Sequence, residues 1–410
     1  MAKLLKNISR LYTNSNLTQN SWATPHDVSN QNSLADNPWI IIDQGKVLEI
    51  GTGTPPKSRA LFVIDAQGKA VIPGLIDCHT HPLFAGDRSG EFSQKLDGRT
   101  YQEIAQAGGG IGFTVNETRK ASNEELEKLT QQRLISFLSW GVTTIEVKTG
   151  YGLNPEEELR HLRILNKLKR RNNQHLEITC LALHSKSPDY PSLETYSKAI
   201  CQDLLPQVAK EGLANWVDAF IESGYYDSKT VAPYFKKAQD LGLGIRIHVD
   251  QFTNANGAAL AAKWNAASAD HLEESDLEGI KAMAAAKTSA VILPATSLYT
   301  KIPYTQAKPF KEAAVPVCLS TDFNAGSCPL FNLGFVASLG AMYNGLTEPE
   351  TLAAITYFPA QSLKLEKKKG HLTPGADADF VILPHESFAG WLSSMASEPP
   401  IGVFIGGDKV

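Results

Sequence analysis

The chain has 410 residues, 42% of them hydrophobic and 20% charged, with a formal net charge of −4. Such a length favours one large body plus a smaller one, and the charge balance leaves no basic footprint for nucleic acid or an anionic membrane. No stretch approaches the ~20 apolar residues of a membrane span, so a small-molecule partner is the default.

The first segment, MAKLLKNISRLYTN, has too little apolar length for a signal peptide. Five scattered cysteines, Cys78, Cys180, Cys201, Cys318 and Cys328, lack C-x-x-C spacing and read as reduced thiols, so a cytoplasmic location is expected. Short strand-like runs follow one another at Leu4 to Ile8, Trp39 to Asp43, Lys46 to Ile50 and Ala60 to Asp65. A polar stretch from Thr13 to Asn37 reads as a surface loop. Strands this short need partners, and the runs Ala378 to Leu383 and Ile401 to Ile405 offer them. The expectation is a composite β-sandwich domain from residues 1–66 and 366–410, flanking an inserted body at 67–365.

That body alternates apolar strand-length runs with helix-period stretches, which implies parallel strands joined by crossover helices. The runs are Val71 to Asp77, Thr143 to Val147, Leu176 to Leu183, Trp216 to Ile221, Gly244 to His248, Ala267 to Asp270, Ser289 to Leu293 and Val315 to Ser320. Eight of them predict a (β/α)8 TIM barrel. Ser122 with Glu125, and Ser275 with Glu278, read as capping boxes, Pro155 as a first-turn proline, and Gly141 as a helix stop. The glycine run Gly108 to Gly110 with Gly112 has no strand ahead of it and no G-K-[ST] after it, so it is no phosphate cradle. A mobile active-site loop before the Ser122 helix, or a plain linker, is expected. The apolar run Val336 to Tyr343 belongs to a helix that faces either a partner or the core.

Chemistry in such a barrel sits at the C-terminal strand ends. Those ends carry His79 and His81, Lys148, His184, Glu222, His248, His271 and Asp322. Side chains alternate along a strand, so His79 and His81 are expected to point the same way and to share one metal ion. Histidine is not a favoured buried residue, and so many at in-phase strand ends are hard to explain by packing. The other histidines, His26, His161, His175, His371 and His385, fall in loops, on a helix surface or in the terminal domain.

Several phrases carry a resemblance: PGLIDCHTH, FAGDRSGEF, AGGGI, EVKTGYGL, HVDQF, SADHLE and STDFNAGSCP. Together they resemble the amidohydrolase superfamily and, within it, the imidazolonepropionases of histidine degradation. The resemblance implies metal ligands at His79, His81, His248 and Asp322. It implies substrate-binding positions at Arg88, Tyr151, His184, Gln251, Asn324, Gly326 and Ser327. The implied reaction is hydrolysis of 4-imidazolone-5-propanoate to N-formimino-L-glutamate, with one divalent ion, Zn2+ or iron, and a homodimeric assembly.

Elementary chemistry agrees. Asp322 can carry a proton to a leaving ring nitrogen, and His271 can orient water or stabilise an oxyanion. Arg88 can pair with the propanoate carboxylate. Some members of the superfamily bridge two metals with a carboxylated lysine at the end of strand four. Phe220-Ile221-Glu222 offers none, so one metal is expected, and Lys148, after strand two, is read as a structural ion-pair residue rather than a ligand. Gln251 stands where deaminases of the superfamily carry glutamate, and it cannot titrate. Another cyclic-amide hydrolase or a heterocycle deaminase is the alternative enzyme, and a non-catalytic binding protein the alternative class.

Overall fold

The structure is a computed structural model and describes residues 2–29, 33–56, 62–99, 103 and 107–410. Both ends of the chain contribute to one mixed sheet. The N-terminal side supplies β1 (Lys3–Tyr12), β2 (Ser33–Leu34), β3 (Trp39–Asp43), β4 (Lys46–Gly51) and β5 (Phe62–Pro73). The C-terminal side supplies Phe380–Ile382, Gly402–Ile405 and Asp408–Lys409. Across the sheet the order is Asp408–Lys409, Gly402–Ile405, Phe380–Ile382, β5, β1, β3, β4, with β2 also on β1. Among the described residues of this sheet, β1 and β5 are the parallel pair. Leu5, Ile8, Ile40, Ile42, Val47, Phe380 and Phe404 fill the core of this layer. Ala60 and Leu61 of the expected strand, and 30–32 of the expected loop, lie outside the described residues.

The second sheet is the expected barrel. Its strands are β6 (Leu75–Asp77), β7 (Val142–Lys148), β8 (His175–Leu183), β9 (Trp216–Ile221), β10 (Gly244–Val249), β11 (Ser268–His271), β12 (Ser289–Ile292) and β13 (Val317–Leu319). They pair in sequence order, every pair parallel. The ring is joined just beyond β6 and β13 by a parallel bridge between Thr80 and Phe323. There the His81 amide donates to the Phe323 carbonyl at 2.8 Å and the Asp322 amide to the His79 carbonyl at 3.1 Å. Barrel closure therefore sets the His79-to-His81 segment beside Asp322.

Four sequence expectations need correction. Val71 to Asp77 is not one barrel strand: Val71, Ile72 and Pro73 pair with Ile382, Val381 and Phe380 in the terminal sheet, and the barrel begins at Leu75. The switch occurs at Gly74, where any Cβ would lie 2.2 Å from Thr143 Oγ1. Both pieces are apolar and buried, so periodicity could not separate them. His79 and His81 consequently lie past the strand end, and closure bonds rather than strand alternation bring them together.

The glycine run does not lead through a loop to the Ser122 helix. A helix, Ile111–Lys120, starts directly on it, with Gly110 at φ 72°. The cap of Leu277–Ala286 is Asp276, whose Oδ1 accepts from the Gly279 amide at 2.8 Å. Ser275 instead donates to Asp250 Oδ2 at 2.8 Å, the stronger acceptor within its reach. His161 is fully buried inside Pro155–Lys169 rather than on its surface, because it shares a stripe with Glu158, Leu162 and Leu165.

Other local signals hold. Ser122 Oγ accepts from the Glu125 amide ahead of Asn123–Ser139, and Asn154 caps the helix that begins at Pro155. In helix Leu333–Tyr343, Val336, Ala337 and Leu339 are buried, which gives that face a core role. Among the described residues no helix is long and apolar enough to cross a membrane.

Candidate metal centre and active site

Three imidazoles from two parts of the barrel converge. His81 Nε2 lies 3.3 Å from His79 Nε2 and 3.4 Å from His248 Nε2. Asp322 Oδ1 lies 3.5 Å from the Nε2 atoms of both His79 and His81. All four side chains are buried. His248 stands inside β10, whose alternation aims it into the barrel mouth.

The far sides of two rings decide their protonation. His79 Nδ1 lies 2.6 Å from Asp270 Oδ2, and His248 Nδ1 lies 2.9 Å from Asp218 Oδ2. A carboxylate only accepts, so each ring carries its proton on Nδ1 and turns an Nε2 lone pair inward. Burial, helped by the Lys148 ammonium and the neighbouring rings, holds the proton affinity of His79 well below the ordinary histidine value. Burial likewise lowers His81, and lowers His248 to about 4. The Nε2 atoms of three imidazoles whose proton affinity burial lowers thus face one another, with an aspartate oxygen beside them. They form a donor set suited to a metal ion, and the three histidines are the group found among the described residues whose ligand atoms lie close enough together to hold one.

Beneath these imidazoles lies a buried ionic layer that sequence reading missed. Lys148 Nζ donates to Glu146 Oε1 at 2.8 Å and to Asp218 Oδ2 at 2.9 Å, and lies 3.8 Å from Asp270 Oδ2. Against burial, these three carboxylates hold the ammonium above its ordinary value. Arg246 sits 3.9 Å from Asp270 and donates to the Cys78 and Ser362 carbonyls. The expected structural ion pair of Lys148 thus also supports the carboxylates that orient His79 and His248. The available signal was the isolated charge in each apolar strand: Glu146, Asp218, Arg246 and Asp270.

The expected proton-handling pair borders the ligands. The His271 ring centroid lies 5.7 Å from that of His79 and 5.4 Å from that of His248. Burial would lower its proton affinity, but the Glu273 carboxylate, 3.8 Å from Nδ1, raises it above the ordinary value. Burial pushes Asp322 up to about 6, with His271 opposing. Thr296 Oγ1 donates to Asp322 Oδ2 at 2.7 Å, leaving Oδ1 toward the histidines. His271 and Asp322 have φ of 83° and 52°, strained for residues with a side chain, as functional strand ends often are.

Of the expected substrate positions, His184 and Tyr151 pack on His81, and Asn324 binds the Asp322 carbonyl in the turn that also holds Gly326 and Ser327. His184 stacks on His81 with centroids 5.1 Å apart, and its Nδ1 lies 3.1 Å from the Gly150 carbonyl, which leaves Nε2 as an acceptor. Tyr151 is buried with its ring 5.5 Å from that of His184. Asn324 organises its own turn: Oδ1 accepts from the amides of Gly326 and Ser327, and Nδ2 donates to the Asp322 carbonyl and to Ser327 Oγ. Arg88 is engaged with Glu91, a partner that sequence reading did not anticipate. Gln251 is nearly buried in the loop after β10. Glu222 accepts from the amides of Phe252 and Thr253 and so fixes the chain just beyond it.

This geometry can be set beside known proteins. The amidohydrolase family pattern matches residues 87–391, a range that includes Arg88, His248, His271 and Asp322. The imidazolonepropionase of Idiomarina loihiensis is 41% identical over 354 residues, covering 85% of this chain and 86% of that one. The imidazolonepropionase of Bdellovibrio bacteriovorus is 37% identical over 393 residues, covering 94% and 91%.

The chain belongs to the imidazolonepropionase family of the amidohydrolases. The fold of this family member extends to more distant structures. The 5-methylcytosine deaminase of Klebsiella pneumoniae superposes with a TM-score of 0.74 at 16% identity, covering 99% of this chain and 97% of that one. Guanine deaminase of E. coli gives 0.69 at 16% identity, covering 100% and 99%. At such identities the likeness concerns the fold alone.

Proposed function

We propose that the protein hydrolyses the cyclic amide of 4-imidazolone-5-propanoate to N-formimino-L-glutamate, using one divalent ion, Zn2+ or iron, held by His79, His81, His248 and Asp322. The observation that carries this reading is the convergence of three Nε2 atoms, of His79, His81 and His248, with Asp322 Oδ1 in contacts of 3.3–3.5 Å. A divalent ion at such a site supplies Lewis acidity and brings the pKa of water down to about 7.

The side chains supply the rest. Water adds its oxygen to the ring carbonyl carbon while Asp322 takes its proton. As the ring C–N bond breaks, Asp322 returns a proton to the leaving nitrogen. His271, whose proton affinity the Glu273 carboxylate raises against burial, donates to the carbonyl oxygen as negative charge develops there. His184 Nε2 accepts from a ring N–H, and the Gln251 amide hydrogen-bonds without exchanging a proton. Arg88 and Tyr151 receive the propanoate, against the turn formed by Asn324, Gly326 and Ser327. Ring deamination would call for a titrating group at 251, which glutamine does not provide.

The test is the decay of freshly prepared imidazolone propanoate, made enzymatically from urocanate, with the product identified by mass. Formation of N-formimino-glutamate without ammonia is expected. Ammonia release from cytosine or guanine, with no action on the imidazolone, would overturn the reading.

A further inference from the structure

Glu91 joins Arg88 to the glycine run. Arg88 Nε donates to Glu91 Oε1 at 3.0 Å and Nη2 to Glu91 Oε2 at 2.8 Å, a two-pronged pairing between side chains only 8% and 10% exposed. Glu91 Oε1 also accepts from the Gly110 amide at 2.8 Å. Gly110 is where helix Ile111–Lys120 begins, and no side chain of its own caps that helix. The third edge of the guanidinium points elsewhere: Nη1 lies 2.1 Å from where a Cβ on Gly326 would stand, in the turn after Asp322. The guanidinium also acts electrostatically on the Tyr151 hydroxyl.

We infer that Glu91 is a positioning residue for substrate-carboxylate recognition. By gripping Nε and Nη2 it fixes the guanidinium plane and turns Nη1 toward Gly326, and by holding Gly110 it ties that orientation to the start of the following helix. Arginine loses little further freedom on binding when its fork is already held, so the grip favours carboxylate-bearing ligands over their neutral counterparts. The inference rests on the proposed imidazolone reading, since it takes the propanoate as the group Arg88 meets.

The test compares two stable probes by calorimetry, imidazole-4-propanoate and 4-ethylimidazole, which share a ring and differ in the carboxylate. Glu91→Gln should weaken imidazole-4-propanoate about tenfold, the loss of one charged pairing, and leave 4-ethylimidazole within about twofold. In a cycle with Arg88→Ala, the double variant should bind imidazole-4-propanoate no more weakly than Arg88→Ala alone, because Glu91 acts only through Arg88. Should Glu91→Gln not fold, Glu91→Asp, which withdraws the carboxylate by one methylene, is read in the same way. Equal weakening of both probes, no weakening of either, or additive losses in the cycle would overturn the positioning role alone. Failure of both probes to bind the unsubstituted protein would overturn the imidazolone reading, and this inference with it.

Discussion

Asp270 Oδ2 holds His79 Nδ1 at 2.6 Å, and the backbone at His79 in turn accepts from the Asp322 amide at 3.1 Å. One imidazole is thus fixed from two sides, by a buried carboxylate behind it and by the barrel closure beside it. Asp270→Asn keeps the shape and removes the charge that fixes the tautomer. It should weaken metal binding by about 10- to 100-fold, read by chelator competition. Unchanged affinity would mean that Asp270 does not orient the ligand.

Lys148 neutralises three buried carboxylates at once. Lys148→Met leaves Glu146, Asp218 and Asp270 without their shared cation. A loss of about 3–5 kcal/mol in unfolding free energy is expected from denaturant titration, the usual cost of breaking a buried pair by one partner. A loss below about 1 kcal/mol would place the lysine among ordinary surface pairs.

The buried histidines set an acid limit. Burial lowers His161 to about 3, and His184 and His248 to about 4, against about 6.5 in an unfolded chain. Between those values the unfolded chain binds more protons than the folded one, so stability falls as pH falls. Each group adds a slope of about 1.4 kcal/mol per pH unit in that window. Denaturation of the metal-free protein between pH 7 and 4 should show a decline beginning near pH 6.5 that becomes shallower below about pH 6, where Asp77 and Asp322, both pushed up to about 6 by burial, take up protons in the folded chain first. Stability that does not fall between pH 7 and 5 would contradict it.

Gly326 tests the carboxylate site from its other wall. In Gly326→Ala the new methyl would collide with Arg88 Nη1, so the guanidinium must move. The KM for imidazolone propanoate should rise about tenfold, comparable to loss of a charged hydrogen bond, with metal content unchanged. An unaltered KM would place the propanoate away from this edge.

The barrel was legible because its strands are buried on both faces and its helices carry start signals, as at Ser122 and Pro155. The histidines at the strand ends stood out because that residue type is out of place in an apolar run. The change of sheet at Gly74 was not legible, since Val71 to Pro73 and Leu75 to Asp77 are equally apolar. The pairings of Asp218 with His248 and Asp270 with His79 depend on which side chains meet inside the barrel. Sequence shows only that Asp218 and Asp270 are lone charges in buried strands. Glu91 lay three residues from Arg88, at the spacing of helical neighbours, and its grip on Gly110 appeared only once Ser89–Leu96 and Ile111–Lys120 were seen together.

The central claim is that hydrolysis depends on a single cation at His79, His81 and His248. Its most direct test is to strip the protein with a chelator and titrate zinc back while following imidazolone propanoate turnover. Turnover should vanish on stripping and return in proportion to zinc until one equivalent per chain, with no return in His248→Ala. Full turnover by the stripped protein, or a return that needs a second equivalent, would contradict the account.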